Sequence, residues 1–266
     1  MRLIPIALLL FAISICATAQ TPTVADGGVL NGASFAKGQA VSPGELVSIF
    51  GTDLAASTAQ ADSVPLSTSL ANVSVSFNGV AAPLLYVSPT QINAQMPWDV
   101  MPSGITAGTA DVVVKRGAAI SAAQMVQVRA TAPGIFSIPQ GAGYAIAINA
   151  DGSVAAPAGA IAGITTRPAN VGDVVIILAT GLGPVDSPIA NGAASTDKLR
   201  RTTTTPTVLI GGQPAQVVFS GLSPQFTGVN QLNVMVPDVT AGDKVPVQIQ
   251  MDGVTTTDQV VIAVTR

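Results

Sequence analysis

Few residues of this 266-residue chain could do chemistry, and most of them come in matched pairs. Glu45, the sole glutamate, follows Pro43-Gly44, and Asp173 follows Val171-Gly172 in the same local pattern. A carboxylate repeated in this way could hold a cation or act as an acid or base; its plainer role is to start a strand and accept loop hydrogen bonds. Gln91 with Asn93, and Gln231 with Asn233, stand two residues apart, so each pair shares one face of a strand. That face would offer a polar groove for a sugar or peptide, or would bond a neighbouring loop. Trp98, with Tyr86 and Phe226, could stack on sugar rings or could pack in a core. Residues 149–153, Asn-Ala-Asp-Gly-Ser, resemble a fragment of a calcium loop, but calcium takes about six to eight oxygens and this segment has one carboxylate, so an Asp-Gly turn is expected. The candidate ligand contacts are therefore Gln91, Asn93, Trp98, Gln231 and Asn233. No catalytic residue, metal ligand or cofactor site is assigned.

The missing residue types narrow the chemistry further. There is no histidine, and the only cysteine is Cys16. Ser-His-Asp and Cys-His constellations, and Cys or His metal sites, are excluded. A hydrolase would have to work with carboxylates alone, and none cluster in the sequence. The formal charge is −3, and about −4 without Arg2, which argues against a nucleic-acid partner. The only basic cluster, Lys198-Leu199-Arg200-Arg201, reads as a solvated loop ahead of a strand.

Residues 1–19 have the parts of a secretory signal peptide: a charged start, a short apolar run, then Ala17-Thr18-Ala19. Cleavage after Ala19 is expected in preference to lipidation at Cys16, because Ile15 is a poor residue before a lipidated cysteine. Export to the extracellular space or cell surface follows, with the periplasm as an alternative. The remaining chain has no segment resembling a membrane helix. Aromatic residues make up 4% of the chain, too few to build the two girdles of an outer-membrane barrel.

These residues must be positioned by a scaffold that the chain spells out twice. Residues 43–54 return as 171–182, and Gln91-Ile92-Asn93 before Pro97 returns as Gln231-Leu232-Asn233 before Pro237. The Asn78-Gly79 turn returns as Gly211-Gly212, and Arg116-Gly117 as Asp252-Gly253. Residues 73–77 and 245–251 alternate apolar and polar, as half-buried strands do. Asn-Gly supplies the positive φ angles of a tight hairpin turn. Residues 20–28 read as a polar lead, 80–87 as one return strand, and 55–69 and 155–170 as loops. About seven short strands per copy predict an all-β chain of two tandem immunoglobulin-like sandwiches. The expected bounds are 20–134 and 135–266.

At these motifs the chain resembles the uncharacterised C-terminal domain family of secreted acidobacterial proteins of the Solibacter type. The matching blocks include residues 31–35, 41–45, 49–52, 87–97, 132–136, 179–184, 210–212, 221–224 and 231–234. Each half also resembles an IPT/TIG-type immunoglobulin-like domain. The resemblance implies export and a pair of sandwiches, and no catalytic residues. That family usually ends a longer protein, whereas this pair is expected to stand directly behind its leader. The expected function is a secreted, non-catalytic interaction or structural module, such as an adhesin, scaffold or surface component. A carbohydrate-binding module is the alternative, and a carboxylate-dependent hydrolase comes third. The partner would be an extracellular protein or polysaccharide of unassigned identity, contacted through sheet edges and the two dissimilar loops at 55–69 and 190–205.

Overall fold

The computed structural model describes residues 20–102, 104–256 and 259–266. The expected leader and Cys16 lie outside the described residues. The first ten strands are β1 Thr23–Asn31, β2 Leu46–Thr52, β3 Ala59–Gln60, β4 Val73–Phe77 and β5 Val80–Ala82, then β6 Leu84–Val87, β7 Gln91–Gln95, β8 Ala107–Arg116, β9 Ala119–Ile120 and β10 Gln124–Arg129. They form two facing sheets, ordered β1-β2-β7-β6-β3 and β10-β8-β4-β5, with β9 beside β8.

The second set begins with β11 Gly134–Ile135, β12 Ser137–Ile138, β13 Ala142–Ala145, β14 Ala147–Ile148 and β15 Val154–Ala155. It continues with β16 Thr166–Arg167, β17 Ala169–Asn170, β18 Val174–Thr180, β19 Thr207–Ile210 and β20 Gln213–Ala215. It ends with β21 Val217–Leu222, β22 Asn230–Met235, β23 Gly242–Met251, β24 Val254–Thr255 and β25 Gln259–Thr265. These strands form sheets ordered β16-β15-β14-β18-β22-β21 and β12-β13-β25-β23-β19-β20. The chain is thus all-β, two immunoglobulin-like sandwiches in tandem. Among the described residues no helix is long and apolar enough to cross a membrane.

The duplication extends to strand register. In the first unit Ser48, Ile49 and Phe50 stand opposite Asn93, Ile92 and Gln91. In the second, Ile176, Ile177 and Leu178 stand opposite Asn233, Leu232 and Gln231. Alternate residues enter the cores, so Val47, Ile49, Ile92 and Ala94 are buried in one, and Val175, Ile177, Leu232 and Val234 in the other. The hairpin turns fall at Asn78-Gly79, between paired Phe77 and Val80, and at Gly211-Gly212, between Ile210 and Gln213. The β8–β9 and β23–β24 hairpins also correspond, but their register aligns Gly117 with Asp252, one residue from the match read in the sequence. The same bond marks both: Val114 N–H donates to Ser121 Oγ at 3.0 Å, and Ile249 N–H to Thr256 Oγ1 at 3.2 Å.

Several elements differ from the sequence reading. The polar lead is the start of β1, because Thr23 and Val24 pair with Thr52 and Gly51 across a bulge. The return strand at 80–87 divides at Pro83: β5 stays with β4, while β6 crosses to the sheet of β7. Proline has no N–H to give a ladder, so the chain changes sheets there. Residues 55–69 hold β3, and 155–170 hold β16 and β17 and the end of β15. These small-residue segments pair along sheet edges because backbone groups, not side chains, make those contacts.

Candidate functional site

The residue with the most altered chemistry is Glu45, and it lies where the two units meet. Backbone bonds around it are duplicated: Met96 N–H donates to the Glu45 carbonyl, and Val236 N–H to that of Asp173, each at 2.8 Å. The two side chains have opposite surroundings. Asp173 is partly exposed and accepts from Asn170 Nδ2 at 2.7 Å. Glu45 is 1% exposed. Its Oε2 accepts from Asn31 Nδ2 at 3.2 Å, and Asn31 Nδ2 also donates to the Ala132 carbonyl at 2.9 Å. Burial pushes the Glu45 carboxyl well above the usual carboxylate range, against the opposing pull of hydrogen bonds from Ser42 and Asn31. Oε1 and the Ser42 hydroxyl are buried without a well-formed hydrogen bond among the described residues, although Ser42 stands close enough to favour the ionised form.

The second unit closes over this carboxyl. Gly181 has φ +79°, and a Cβ there would lie 2.6 Å from Glu45 Oε2 and would overlap the Ala132 carbonyl oxygen. Only glycine meets both demands without strain. Leu46 N–H donates to Thr180 Oγ1 at 3.0 Å, and that hydroxyl donates to the Gly228 carbonyl at 2.6 Å. Gln95 accepts from Gly192 N–H at 2.6 Å through Oε1, and its Nε2 donates to the Gly44 carbonyl at 3.2 Å. Ala132 N–H donates to the Gly181 carbonyl at 2.8 Å. Several hydrogen bonds thus cross the junction, while Glu45 Oε1, the Ser42 hydroxyl and the Trp98 indole Nε1 are buried there without a well-formed hydrogen bond among the described residues.

Trp98 belongs to the same junction. Its ring packs directly over Gly44, whose φ of +83° and lack of a side chain make room for it. The Trp98 backbone N–H donates to Asn191 Oδ1 at 2.9 Å, and Asn191 Nδ2 donates to Asp99 at 2.9 Å. Trp98, Tyr86 and Phe226 make no ring contact with one another among the described residues; the aromatic pair that forms is Phe35 with Phe50, edge to face. In each unit the amides bond to each other. Gln91 Nε2 donates to Asn93 Oδ1, and Gln231 Nε2 to Asn233 Oδ1, both at 2.8 Å. Both pairs lie half-buried on the outer face of their sheet, and Ser48 also donates to Asn93 at 3.0 Å.

The calcium-like segment is a turn. Asp151 Oδ1 accepts from Ser153 N–H and Oγ, and Oδ2 pairs with Arg167 Nε at 2.5 Å. The Arg167 contact, helped by Ser153, holds the Asp151 carboxyl below its usual range. The basic cluster is not wholly solvated. Arg200 is buried, bonding the Pro188 carbonyl, Ser195 Oγ and Asp197, while Arg201 lies 4.9 Å from the centre of the Phe219 ring. A guanidinium with five donors can satisfy a whole loop, which the sequence pattern of a basic run does not reveal.

Part of each dissimilar loop is also used in the junction. Leu66 N–H donates to the Gly192 carbonyl at 2.8 Å, so these two segments meet each other and are closed to a partner at that point. Sequence reasoning missed Asn31, Gln95, Asn191 and Thr180. Asn31 ends β1 beside β2, and Asn149 follows β14 beside β18; both are buried.

Alongside this tandem immunoglobulin-like architecture, the IPT/TIG domain family matches residues 33–129, which lie in the first unit. No curated protein matches the chain. Among solved structures, the chain is similar to the extracellular region of plexin A4, at 15% identity, TM-score 0.30, covering 95% of this chain and 19% of that one. It is similar to SGBP-B of the Bacteroides ovatus mixed-linkage glucan utilization locus, solved with a mixed-linkage heptasaccharide, at 16% identity, TM-score 0.36, covering 93% and 46%. It is also similar to a surface glycan-binding protein of Prevotella bryantii, at 13% identity, TM-score 0.28, covering 89% and 41%. The chain spans less than half the length of each.

Proposed function

We propose that the protein is an exported, non-catalytic interaction or structural module, bounded as two domains at 20–134 and 135–266. The observation that supports this most is the placement of Glu45. The acid whose pKa burial raises, the one best suited to acid–base work, is enclosed between the two units beside Asn31 and Gly181. A catalytic acid must reach its substrate; this one supports a joint between two sandwiches. Partner contacts then fall on exposed loop residues and sheet edges, which can add a strand from another protein. The resemblance to the Solibacter-type family and the leader-like residues 1–19 support export.

A carbohydrate-binding reading has one observation in its favour. Two adjoining clefts of about 400 Å³ lie beside the junction and share Arg129, Thr131 and Val254. Gln39, Gln127 and Thr255 add hydrogen-bonding groups, and none of the lining residues is aromatic. The test is to present the purified protein to immobilised polysaccharides, cell surfaces and secreted proteins, alongside an Arg129→Ala variant. Binding to protein or cell surfaces that survives Arg129→Ala is the expected result. Polysaccharide binding abolished by that substitution would establish the second reading. Polymer turnover would overturn both. Mass spectrometry of the exported protein is expected to show a Gln20 start, and a lipidated Cys16 would refute that start.

A further inference from the structure

The joint between the two sandwiches closes over unsatisfied groups. Glu45 Oε1 and the Ser42 hydroxyl are buried without a well-formed hydrogen bond among the described residues, and so is the indole Nε1 of Trp98, whose ring lies on Gly44. A dry polar group without a partner favours a rearrangement that returns it to water. For Glu45 the cover is the second unit itself, since a Cβ at Gly181 would lie 2.6 Å from Oε2. Asp173 shows the same position with no unit seated on it. It keeps the matching backbone bond, from Val236 N–H, and its side chain is partly exposed. Glu45 is therefore kept dry by the joint and not by the sandwich that carries it.

The carboxyl is also tied to the segment that connects the units, residues 130–133 between β10 and β11. Asn31 Nδ2 donates to Glu45 Oε2 and to the Ala132 carbonyl, and Ala132 N–H donates to the Gly181 carbonyl. The hydrophobic cores lie to either side of this segment. One is built from residues between Val24 and Val128, the other from residues between Ile135 and Val264, so the joint belongs to neither.

The segments packed around the carboxyl are the end of β1, the turn before β2, Met96 after β7, the connecting segment and the end of β18. Asn31 and Ser42 are the side chains that bond it, and no charged group contributes to its raised pKa. The ionisable residues next along these segments, Lys37, Asp99, Arg129 and Asp186, are exposed.

We infer that Glu45 gates the joint: the sandwiches are docked while its carboxyl is protonated and part when it ionises, each remaining folded. An ionised Glu45 in the docked state is a buried charge without a cation. Parting hydrates it and gives up the bonds that cross the joint, while both cores stay intact. The docked state holds the proton more tightly, so low pH favours docking. Above the ordinary carboxylate value of about 4.3, the ratio of parted to docked molecules rises about tenfold per pH unit until the docked carboxyl itself ionises. Parting also frees Leu66 and Gly192, whose bond holds the two dissimilar loops together. The gate holds or fails apart from the binding function proposed above.

Small-angle X-ray scattering and Trp98 emission of residues 20–266 follow the joint, and far-ultraviolet circular dichroism follows the sandwiches. The range runs from about pH 5 to about pH 9, where ordinary carboxylates are ionised and the chain has no histidine to titrate. As pH rises, the wild-type radius of gyration is expected to grow and the Trp98 emission to move to the red, at constant circular dichroism. Glu45→Gln and Glu45→Met, two uncharged replacements of similar length, are each expected to keep the low-pH values throughout. A wild-type radius that stays constant across the range overturns the inference, and that measurement needs no variant. A transition that either variant retains, or one that coincides with loss of the circular dichroism signal, also overturns it.

Discussion

Replacing Glu45 with glutamine isolates the effect of one buried charge. The amide oxygen can still accept from Asn31 Nδ2, and the new amide N–H₂ takes the place of Oε1, which has no well-formed partner beside Ser42. Shape is kept and the ionisable group is lost. Because burial raises the folded pKa of Glu45, the wild-type protein is most stable while this group is protonated in both states. As pH rises past the unfolded value of about 4.3, the unfolded chain ionises first. Stability then falls by about 1.4 kcal/mol for each pH unit until the raised folded value is passed. The Glu45→Gln protein lacks this loss. It is expected to match wild type near pH 4 and to exceed it by about 1–3 kcal/mol at pH 8, the usual cost of a buried polar group left unpartnered. Urea unfolding of both proteins at pH 4, 6 and 8 reads the difference, in which the other titrating groups cancel. A difference that is flat with pH, or that favours wild type as pH rises, would refute the assignment of Glu45 as a desolvated acid.

Two further substitutions test the duplicated scaffold and its joint. Ile49→Ala and Ile177→Ala occupy equivalent, fully buried positions and are each expected to cost about 2–5 kcal/mol in denaturant unfolding; a cost under about 1 kcal/mol at either would contradict its core placement. Gly181→Ala forces a Cβ against the Ala132 carbonyl at positive φ and is expected to open the joint. The sole tryptophan, Trp98, reports this directly: its emission should shift to the red while far-ultraviolet circular dichroism stays constant, and an unshifted spectrum would refute the proposed closure.

Much of the scaffold was legible in the sequence because strand patterns are local. Ile49 and Ile177 could be placed by the short apolar runs that the two copies share, and Asn78-Gly79 and Gly211-Gly212 by the φ angles their turns require. Irregular pairing was less legible. The division at Pro83 and the edge strands within 155–170 rest on backbone bonds to distant strands, which side-chain periodicity does not report. The candidate residues divide along the same line. That Gln91 shares a face with Asn93 follows from spacing, but that the two bond each other at 2.8 Å depends on rotamers set by the surrounding sheet.

The amino-acid sequence by itself determined that the chain is all-β, that it holds two copies of one pattern, and that histidine and cysteine chemistry is absent from residues 20–266. It also placed Glu45 and Asp173 at the same point of that pattern. Only the tertiary structure decided that one is buried and the other partly exposed. The physical reason is that each stands just before its strand begins, where alternation assigns no face and burial depends on what is seated over that end of the sandwich. On the first unit the Thr180–Gly181 end of β18 is seated over Glu45 and Leu46. On the second, the same face around Val174 and Met235 is open.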